Sequence, residues 1–157
     1  MIRHRLALIL LALTLIGVTA CGSSGTAAGT AGSNAAPIQI TVKGNEFKFD
    51  PNQVAWKANQ PVQLVFQNTG NLDHELDLSA MPAKDVQVDL GQAGNIPATA
   101  KNAVQQDAQA GKVHVYAGPG KAATVTFTPT QAGTYQFVCN VPGHKEAGMV
   151  GTATVQP

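Results

Sequence analysis

The sequence has few of the side chains that bind nucleic acids. It contains only two arginines, Arg3 and Arg5, and both lie at the N-terminus. Without that terminus, eight lysines remain against nine acidic residues, which leaves a formal net charge of −1. A protein that binds phosphate backbones needs a clustered excess of basic residues. The composition therefore excludes a nucleic-acid partner for the mature chain.

Long apolar runs are also scarce, and the one at the N-terminus is too short for a comfortable membrane span. Residues 1–20 begin with basic residues, continue with an apolar run from Leu6 to Val18 and end with small residues. These three regions predict a secretory signal peptide. The ending Val-Thr-Ala-Cys resembles the lipobox of bacterial lipoproteins, which implies that Cys21 is the acylated first residue of the mature protein. An ordinary secretion signal, cut nearby, is the alternative.

The segment 21–36 begins with Cys21, and the rest of it contains only Gly, Ala, Ser, Thr and Asn. Such a composition cannot bury enough apolar surface to become ordered, so it predicts a flexible linker. A coil of this length would hold a domain on the order of 20 Å from its anchor. The N-terminus thus predicts an extracytoplasmic protein, lipid-anchored to the bacterial cell membrane on its periplasmic or outer-surface side.

Residues 37–157 show the pattern of one all-β domain. Short segments that alternate apolar with polar residues, or are rich in β-branched and aromatic residues, are separated by turns of Gly, Pro, Asn and Asp. The predicted strands lie at residues 38–42, 45–49, 62–68, 74–78, 113–116, 123–129, 134–139 and 150–155. This number of short strands favours a Greek-key antiparallel β-sandwich.

The segment 79–111 does not fit that pattern. It is long, polar and poor in strand signals, and residues 97–110 place Ala100, Ala103, Val104 and Ala108 on a weak helical stripe. It predicts a loop insertion with one short helix. A connection of this length in a compact domain is usually functional or mobile.

Cys139 is the only cysteine apart from Cys21, and it opens a short loop in which Cys139, His144 and Met149 are evenly spaced. Taken one by one, they are typical of a buried inert thiol, a surface imidazole and a core thioether. Together, they are the soft and borderline donors that suit copper. We therefore expect a copper site in this loop.

A fourth ligand has to come from elsewhere in the chain, and the candidates are His74 and His114. His74 follows a Thr-Gly-Asn turn at the start of a predicted strand, where a side chain can point into a site. His114 alternates with Val113 and Val115, which favours a role on the face of a strand. These positions favour His74.

The segments Gly70–Leu78 and Tyr135–Val155 resemble the cupredoxin family of small blue-copper proteins, such as plastocyanin and azurin. The likeness extends from about residue 38 to 157. It implies one type 1 copper ion, with His74, Cys139 and His144 as the trigonal ligands and Met149 as a weak axial ligand. Many relatives have Asn after the first His, whereas this chain has Glu75, which puts the usual support of the ligand loop in doubt.

The implied function is the transfer of single electrons between redox proteins of a respiratory or photosynthetic chain, by a monomer. Four ligands leave little room for a substrate, so we expect no enzyme activity. A multicopper oxidase would need more histidines than the one that remains, His114. The surroundings of His144 in the loop are largely apolar, which favours a small docking patch for transient partners, although a tight loop would look the same.

Two alternatives belong to other classes. A copper carrier or storage module, which delivers copper to an oxidase, would have open sites rich in Met and His. The mature chain has only Met81 and Met149. A copper-free interaction domain would have no need of the full ligand set.

Overall fold

Ten strands and one helix make up the part of the chain that the computed structural model describes, residues 36–157. The strands are β1 Ile38–Asn45, β2 Lys48–Asp50, β3 Gln53–Lys57, β4 Val62–Asn68, β5 His74–Asp77, β6 Ala83–Asp89, β7 His114–Ala117, β8 Ala122–Pro129, β9 Gly133–Val138 and β10 Val150–Gln156. The helix α1 is Ala98–Gln109. No helix in this range is long and apolar enough to cross a membrane. The predicted signal peptide, Cys21 and all of the linker except its last residue lie outside the described residues.

The strands form two five-stranded sheets, in the orders β2-β1-β4-β8-β6 and β3-β10-β9-β5-β7. Burial alternates along the central strands, and in β4 the buried apolar side chains are Val62, Leu64 and Phe66. Phe49 packs edge-on against Phe66 of its own sheet and Phe137 of the other, with ring centroids 6.2 Å and 5.0 Å apart. The apolar faces of the two sheets therefore share one core, as in the predicted β-sandwich.

The predicted β-sandwich is confirmed, but both of its sheets are mixed rather than purely antiparallel. β1 pairs with β4 in parallel, and β3 pairs with β10 in parallel. The chain leaves the first sheet after β2, adds β3 to the second sheet and returns as β4. This crossover gives β4 the same direction as β1. Alternation within single strands carries no information about such long-range pairing.

The segment 79–111 contains the predicted helix and also a strand that the sequence pattern did not indicate. α1 follows Pro97, buries Val104 and ends before Gly111, which has a φ of 73°. The strand β6 lies at the edge of the first sheet and pairs with β8. Its residues are at most half-buried, and a register shift occurs between Lys84 and Gln87. An exposed, irregular edge strand shows little alternation, which is why the pattern missed it.

Two further differences concern the first sixty residues. The segment predicted as one strand at 45–49 is divided by a turn at residues 46–47, so that β1 ends at Asn45 and β2 begins at Lys48. The short strand β3 buries Val54 and Trp56 against the core, although its polar neighbours disguise it. The turn at residues 46–47 lies beside the candidate site.

Candidate metal centre

The candidate ligands come from three places that the sandwich brings to one end. His74 is the first residue of β5, and Cys139 directly follows β9. His144 and Met149 lie in the loop that joins β9 to β10. The backbone closes this loop, because Cys139 N donates to Met149 O at 3.2 Å and Met149 N donates to His144 O at 3.0 Å. The antiparallel pairing of β9 and β10 thus continues up to the candidate site.

The nitrogen and sulfur atoms of three side chains form a compact triangle. His74 Nδ1 lies 3.1 Å from His144 Nδ1, and Cys139 Sγ lies 3.9 Å and 3.4 Å from these two atoms. The point equidistant from the three atoms is about 2 Å from each, which is close to the bond lengths that nitrogen and sulfur make to a tetrahedral metal ion. The three side chains therefore fit a transition-metal ion without rearrangement.

The same three side chains are almost completely enclosed. His74 and Cys139 are 0% exposed and His144 is 5% exposed. Burial, followed by the proximity of His144, lowers the pKa of His74. Burial also raises the pKa of the Cys139 thiol, although backbone N–H groups of Glu75 and Val141 oppose the shift. Without metal, the cluster thus favours a neutral imidazole and a neutral thiol, which a soft metal ion would convert to its ligands.

Met149, the predicted axial ligand, is fully buried in the same loop. Its methyl group lies near Gly44 of β1, where an added Cβ would come within 3.2 Å of Met149 Cε and 2.8 Å of the Phe66 ring. A side chain at position 44 would therefore displace the thioether or the ring beneath it. The backbone of Met149 is hydrogen-bonded to the backbones of Cys139 and His144. Its role as an axial ligand stays a prediction.

Glu75 supports the ligand loop in place of the expected Asn. Its carboxylate Oε1 accepts a hydrogen bond from the backbone N–H of Asn140 at 3.1 Å, and its own backbone N–H lies 3.5 Å from Cys139 Sγ. The side chain of Asn140 donates to Asp77 Oδ2 at 2.7 Å. The residue after Cys139 is thus bound twice to β5, and the departure from the usual pattern leaves the support intact.

Two residues that the sequence did not single out hold the loop before His74. Asn68 Nδ2 donates to the carbonyl oxygens of Leu72 and Ala117 at 2.7 Å and 2.8 Å. Glu46 Oε1 accepts from Leu72 N at 2.8 Å and lies 3.6 Å from His74 Nε2. A polar residue at the end of an apolar strand was a visible signal for Asn68. Glu46 gave none, because it is far from His74 along the chain.

Gly70 leaves room for the Glu46 carboxylate. A Cβ at Gly70 would displace this carboxylate from its position. Such a displacement would disturb its hydrogen bonds to the loop before His74. Hydrogen bonds from its own N–H group and from Leu72 N lower the pKa of Glu46, which keeps the carboxylate charged next to the imidazole.

An apolar surface covers the candidate site. Phe47 packs edge-on against the His144 ring, with centroids 4.8 Å apart, and is 39% exposed. Leu72 is 46% exposed. Pro142 and Ala147 are also exposed in the ligand loop. Phe47 enlarges the apolar surroundings of His144 that the sequence indicated, and it comes from another part of the chain.

The structure separates the two histidines that competed for the upstream position. His114 lies on β7 and takes no part in the His74–Cys139–His144 cluster. Its Nδ1 is 2.9 Å from Asp107 Oδ2 of α1, and its Nε2 is 3.3 Å from Glu75 Oε2. Carboxylates therefore occupy both sides of this imidazole. The preference for His74 agrees with the geometry.

Comparison with known proteins agrees with the fold and the donor set. Residues 36–156 match the family described as copper binding proteins, plastocyanin/azurin family. The chain is 34% identical over 137 residues to the copper-resistant cuproprotein CopI of Pseudomonas aeruginosa, covering 75% of this chain and 76% of that protein. It is 28% identical over 148 residues to auracyanin-A of Chloroflexus aurantiacus, covering 87% of this chain and 86% of that protein.

A solved structure of auracyanin A, described as a "blue" copper protein from that green thermophilic photosynthetic bacterium, superposes with a TM-score of 0.52. The match has 26% sequence identity and covers 77% of this chain and all of the other. Fold, donor set and family thus point to one metal, copper. The chain belongs to the plastocyanin/azurin family of copper binding proteins.

Proposed function

We propose that this chain is a type 1 copper protein that carries single electrons between redox proteins outside the cytoplasm. The observation that supports this most is the buried triangle of His74 Nδ1, His144 Nδ1 and Cys139 Sγ. Bound there, copper would supply a one-electron couple between Cu(I) and Cu(II). The protein would hold the three donor atoms in nearly the same positions in both states.

Several features of the chain suit a rigid site. Hydrogen bonds hold each segment that carries a donor. They lie within the ligand loop, between Glu75 and Asn140 after Cys139, and between Glu46 and Leu72 before His74. Such support limits the rearrangement between redox states, which favours fast electron exchange. The burial of all three donors also leaves little access for a substrate. We therefore propose a carrier rather than an enzyme.

His144 is the proposed route by which electrons leave. It is the most exposed of the three donors, and Phe47 lies against its ring. Phe47 gives the surface around it an apolar character, while Lys145 and Glu146 carry opposite charges. A small apolar surface with little net charge suits weak, transient docking by a monomer. The proposed partners are redox proteins of a respiratory or photosynthetic chain.

The function is tested by loading the chain with copper and recording its visible spectrum and its voltammogram. We expect an intense sulfur-to-copper absorption band, a reversible one-electron wave and rapid electron exchange with a small redox protein. A chain that binds copper without a reversible wave would contradict the electron-carrier proposal.

A second candidate is a carrier or storage role in copper handling, in which the chain delivers copper to an oxidase. The match to a protein named as copper-resistant favours it. The burial of the donors opposes it, because copper handover needs ligands that an acceptor can reach. A mixture of the Cu(I)-loaded chain with a metal-free acceptor discriminates the two roles. Transfer faster than electron exchange would support the carrier role.

The proposed location is the outer face of the bacterial cell membrane, through lipid on Cys21. The lipobox-like ending of residues 18–21 supports this proposal. The test compares membrane and soluble fractions for the natural chain and for Cys21→Ala. The natural chain is expected in the membrane fraction. A Cys21→Ala chain that stays there would rule out the lipid anchor.

A further inference from the structure

A row of polar side chains connects helix α1 to the loop that carries Cys139. Asp107 Oδ2 of α1 is 2.9 Å from His114 Nδ1, and His114 Nε2 is 3.3 Å from Glu75 Oε2. The second contact is an ion-pair distance rather than a well-aligned hydrogen bond. The other oxygen of Glu75 accepts from Asn140 N, directly after Cys139. Asp107, His114, Glu75 and Asn140 thus form one continuous chain of polar contacts.

The members of this polar chain are shielded from solvent where it approaches the metal centre. Glu75 is 9% exposed and His114 is 6% exposed, whereas the Asp107 side chain is 26% exposed. A buried carboxylate is costly unless both oxygens have partners. Glu75 has Asn140 on one oxygen and His114 on the other. His114 therefore completes the environment that keeps the Glu75 carboxylate in its supporting position.

The charges around His114 come from two elements. Glu75 and Asp77 of β5 face it from one side, and Asp107 of α1 faces it from the other. Lys112 lies 3.6 Å from Asp107 and partly offsets that carboxylate. Burial lowers the pKa of His114, but the contacts with Glu75 and Asp107 and the charges of Glu75 and Asp77 outweigh burial and raise it overall. Protonated His114 is thus a cation held next to the support of the metal centre.

We propose that His114 and Asp107 are positioning residues of the copper centre, which act through Glu75 to fix the backbone of Asn140 beside Cys139. This inference rests on the proposed ligand set and deepens it. It gives the 79–111 connection a role, because α1 supplies the outermost member of the polar chain. It also predicts that protonation of His114 is coupled to the reduction potential. A nearby positive charge disfavours the oxidised centre, which carries one more positive charge than the reduced centre.

The experiment uses the full chain and three variants. Asp107→Asn removes the outer carboxylate from a partly exposed position, where misfolding is not expected. His114→Gln removes the titrating group. Asp89→Asn is the matched control, since it removes one negative charge from the same connection on β6, away from the polar chain. The reduction potential of each copper-loaded chain is measured against pH, and amide hydrogen exchange at Asn140 is measured in each metal-free chain.

For the natural chain, we expect the potential to fall as pH rises through the pKa of His114. Asp107→Asn should move this inflection to lower pH, and His114→Gln should abolish it. Asp89→Asn should leave it in place. Exchange at Asn140 should become roughly tenfold faster or more in His114→Gln, since its bond to a charged acceptor is weakened.

The inference would be overturned if Asp107→Asn, like Asp89→Asn, left the inflection in place and if exchange at Asn140 were also unchanged. The polar chain would then have only a structural role. The exchange measurement needs no copper, so it tests the inference even if the proposed ligand set fails. Failure of the ligand set itself would be seen separately, as the absence of the visible band in the natural chain.

Discussion

Two buried histidine environments lie on opposite sides of Glu75, and they differ in what surrounds the ring nitrogens. In the first, His74 and His144 point their Nδ1 atoms at each other and at a thiol. In the second, His114 lies between two carboxylates. The pKa of His74 is lowered, first by burial and then by His144, whereas carboxylates raise the pKa of His114 despite its burial. Similar burial thus yields opposite protonation preferences.

The comparison shows how a metal centre differs from a satisfied buried histidine. A buried imidazole normally has a partner for each nitrogen. His114 has Asp107 within hydrogen-bond distance of Nδ1 and Glu75 at an ion-pair distance from Nε2, and both carboxylates stabilise a proton on the ring. The Nδ1 atoms of His74 and His144 instead lie 3.1 Å apart beside Cys139 Sγ, which is the arrangement that metal ligation requires. The Glu46 carboxylate lies at the outer nitrogen of His74, where it favours the tautomer with a free Nδ1.

The largest expected effect concerns the thiol, which is present in the first environment and absent from the second. Cys139→Ser should abolish the intense visible band of the copper-loaded chain, because the band arises from the thiolate. The fold should persist, since serine is close to cysteine in size. Absorption and circular dichroism measure the two results. A persistent visible band would show that Cys139 is not the sulfur ligand.

The next effect separates the two histidines. His74→Ala should reduce copper affinity at least tenfold, because it deletes a ligand from the triangle. His114→Ala should retain one copper ion per chain, because His114 contacts only carboxylates. Copper analysis after dialysis against a weak chelator compares the variants. Loss of copper in His114→Ala and retention in His74→Ala would reverse the assignment.

Proton release sharpens the comparison further. Burial raises the pKa of Cys139 and lowers the pKa of His74. At neutral pH, the metal-free site therefore contains a neutral Cys139 thiol and a neutral His74 imidazole. Metal must displace the thiol proton, so affinity should fall about tenfold for each pH unit below neutrality. Calorimetry with Zn²⁺ in two buffers of different ionisation enthalpy measures this release. If Zn²⁺ bound without the release of a proton, Cys139 would already be a thiolate in the metal-free chain, contrary to the effect of its burial.

The smallest effect concerns Met149. Met149→Leu should retain copper and colour and raise the reduction potential, because it removes a weak electron-donating ligand and makes the site less polar. Met81→Leu is the matched control, since Met81 is also buried but is not in the ligand loop. Voltammetry compares both variants with the natural chain. A colourless Met149→Leu protein, or equal potentials in both variants, would contradict an axial role.

The part of this centre that lies close together in sequence was predictable. Cys139 and His144 belong to one loop, and the chemistry of their side chains indicates a copper site before any fold is known. His74 was predictable as well, because it begins a strand directly after a turn. The two-sheet sandwich followed from alternation along strands such as β4 and β8. In each case, the information lies within a few neighbouring residues.

The support of the centre depends on contacts between distant residues, which a single sequence does not reveal. Glu75 looked like a loss of support, yet its longer carboxylate reaches Asn140 and also His114. Glu46 reaches the loop before His74 through a turn that was predicted as strand. The parallel pairs of β1 with β4 and β3 with β10 depend on how the chain crosses between sheets. Local sequence patterns predict none of these three features: the contacts of Glu75, the contacts of Glu46 and the parallel strand pairs.

X-ray absorption at the copper edge tests the central claim most directly, because it measures the ligands of copper in both redox states. The geometry of His74, Cys139 and His144 predicts two nitrogen neighbours and one short sulfur neighbour, with nearly the same distances in Cu(I) and Cu(II). A copper ion without a short sulfur neighbour, or one that changes its ligands on reduction, would contradict a rigid type 1 centre in this chain.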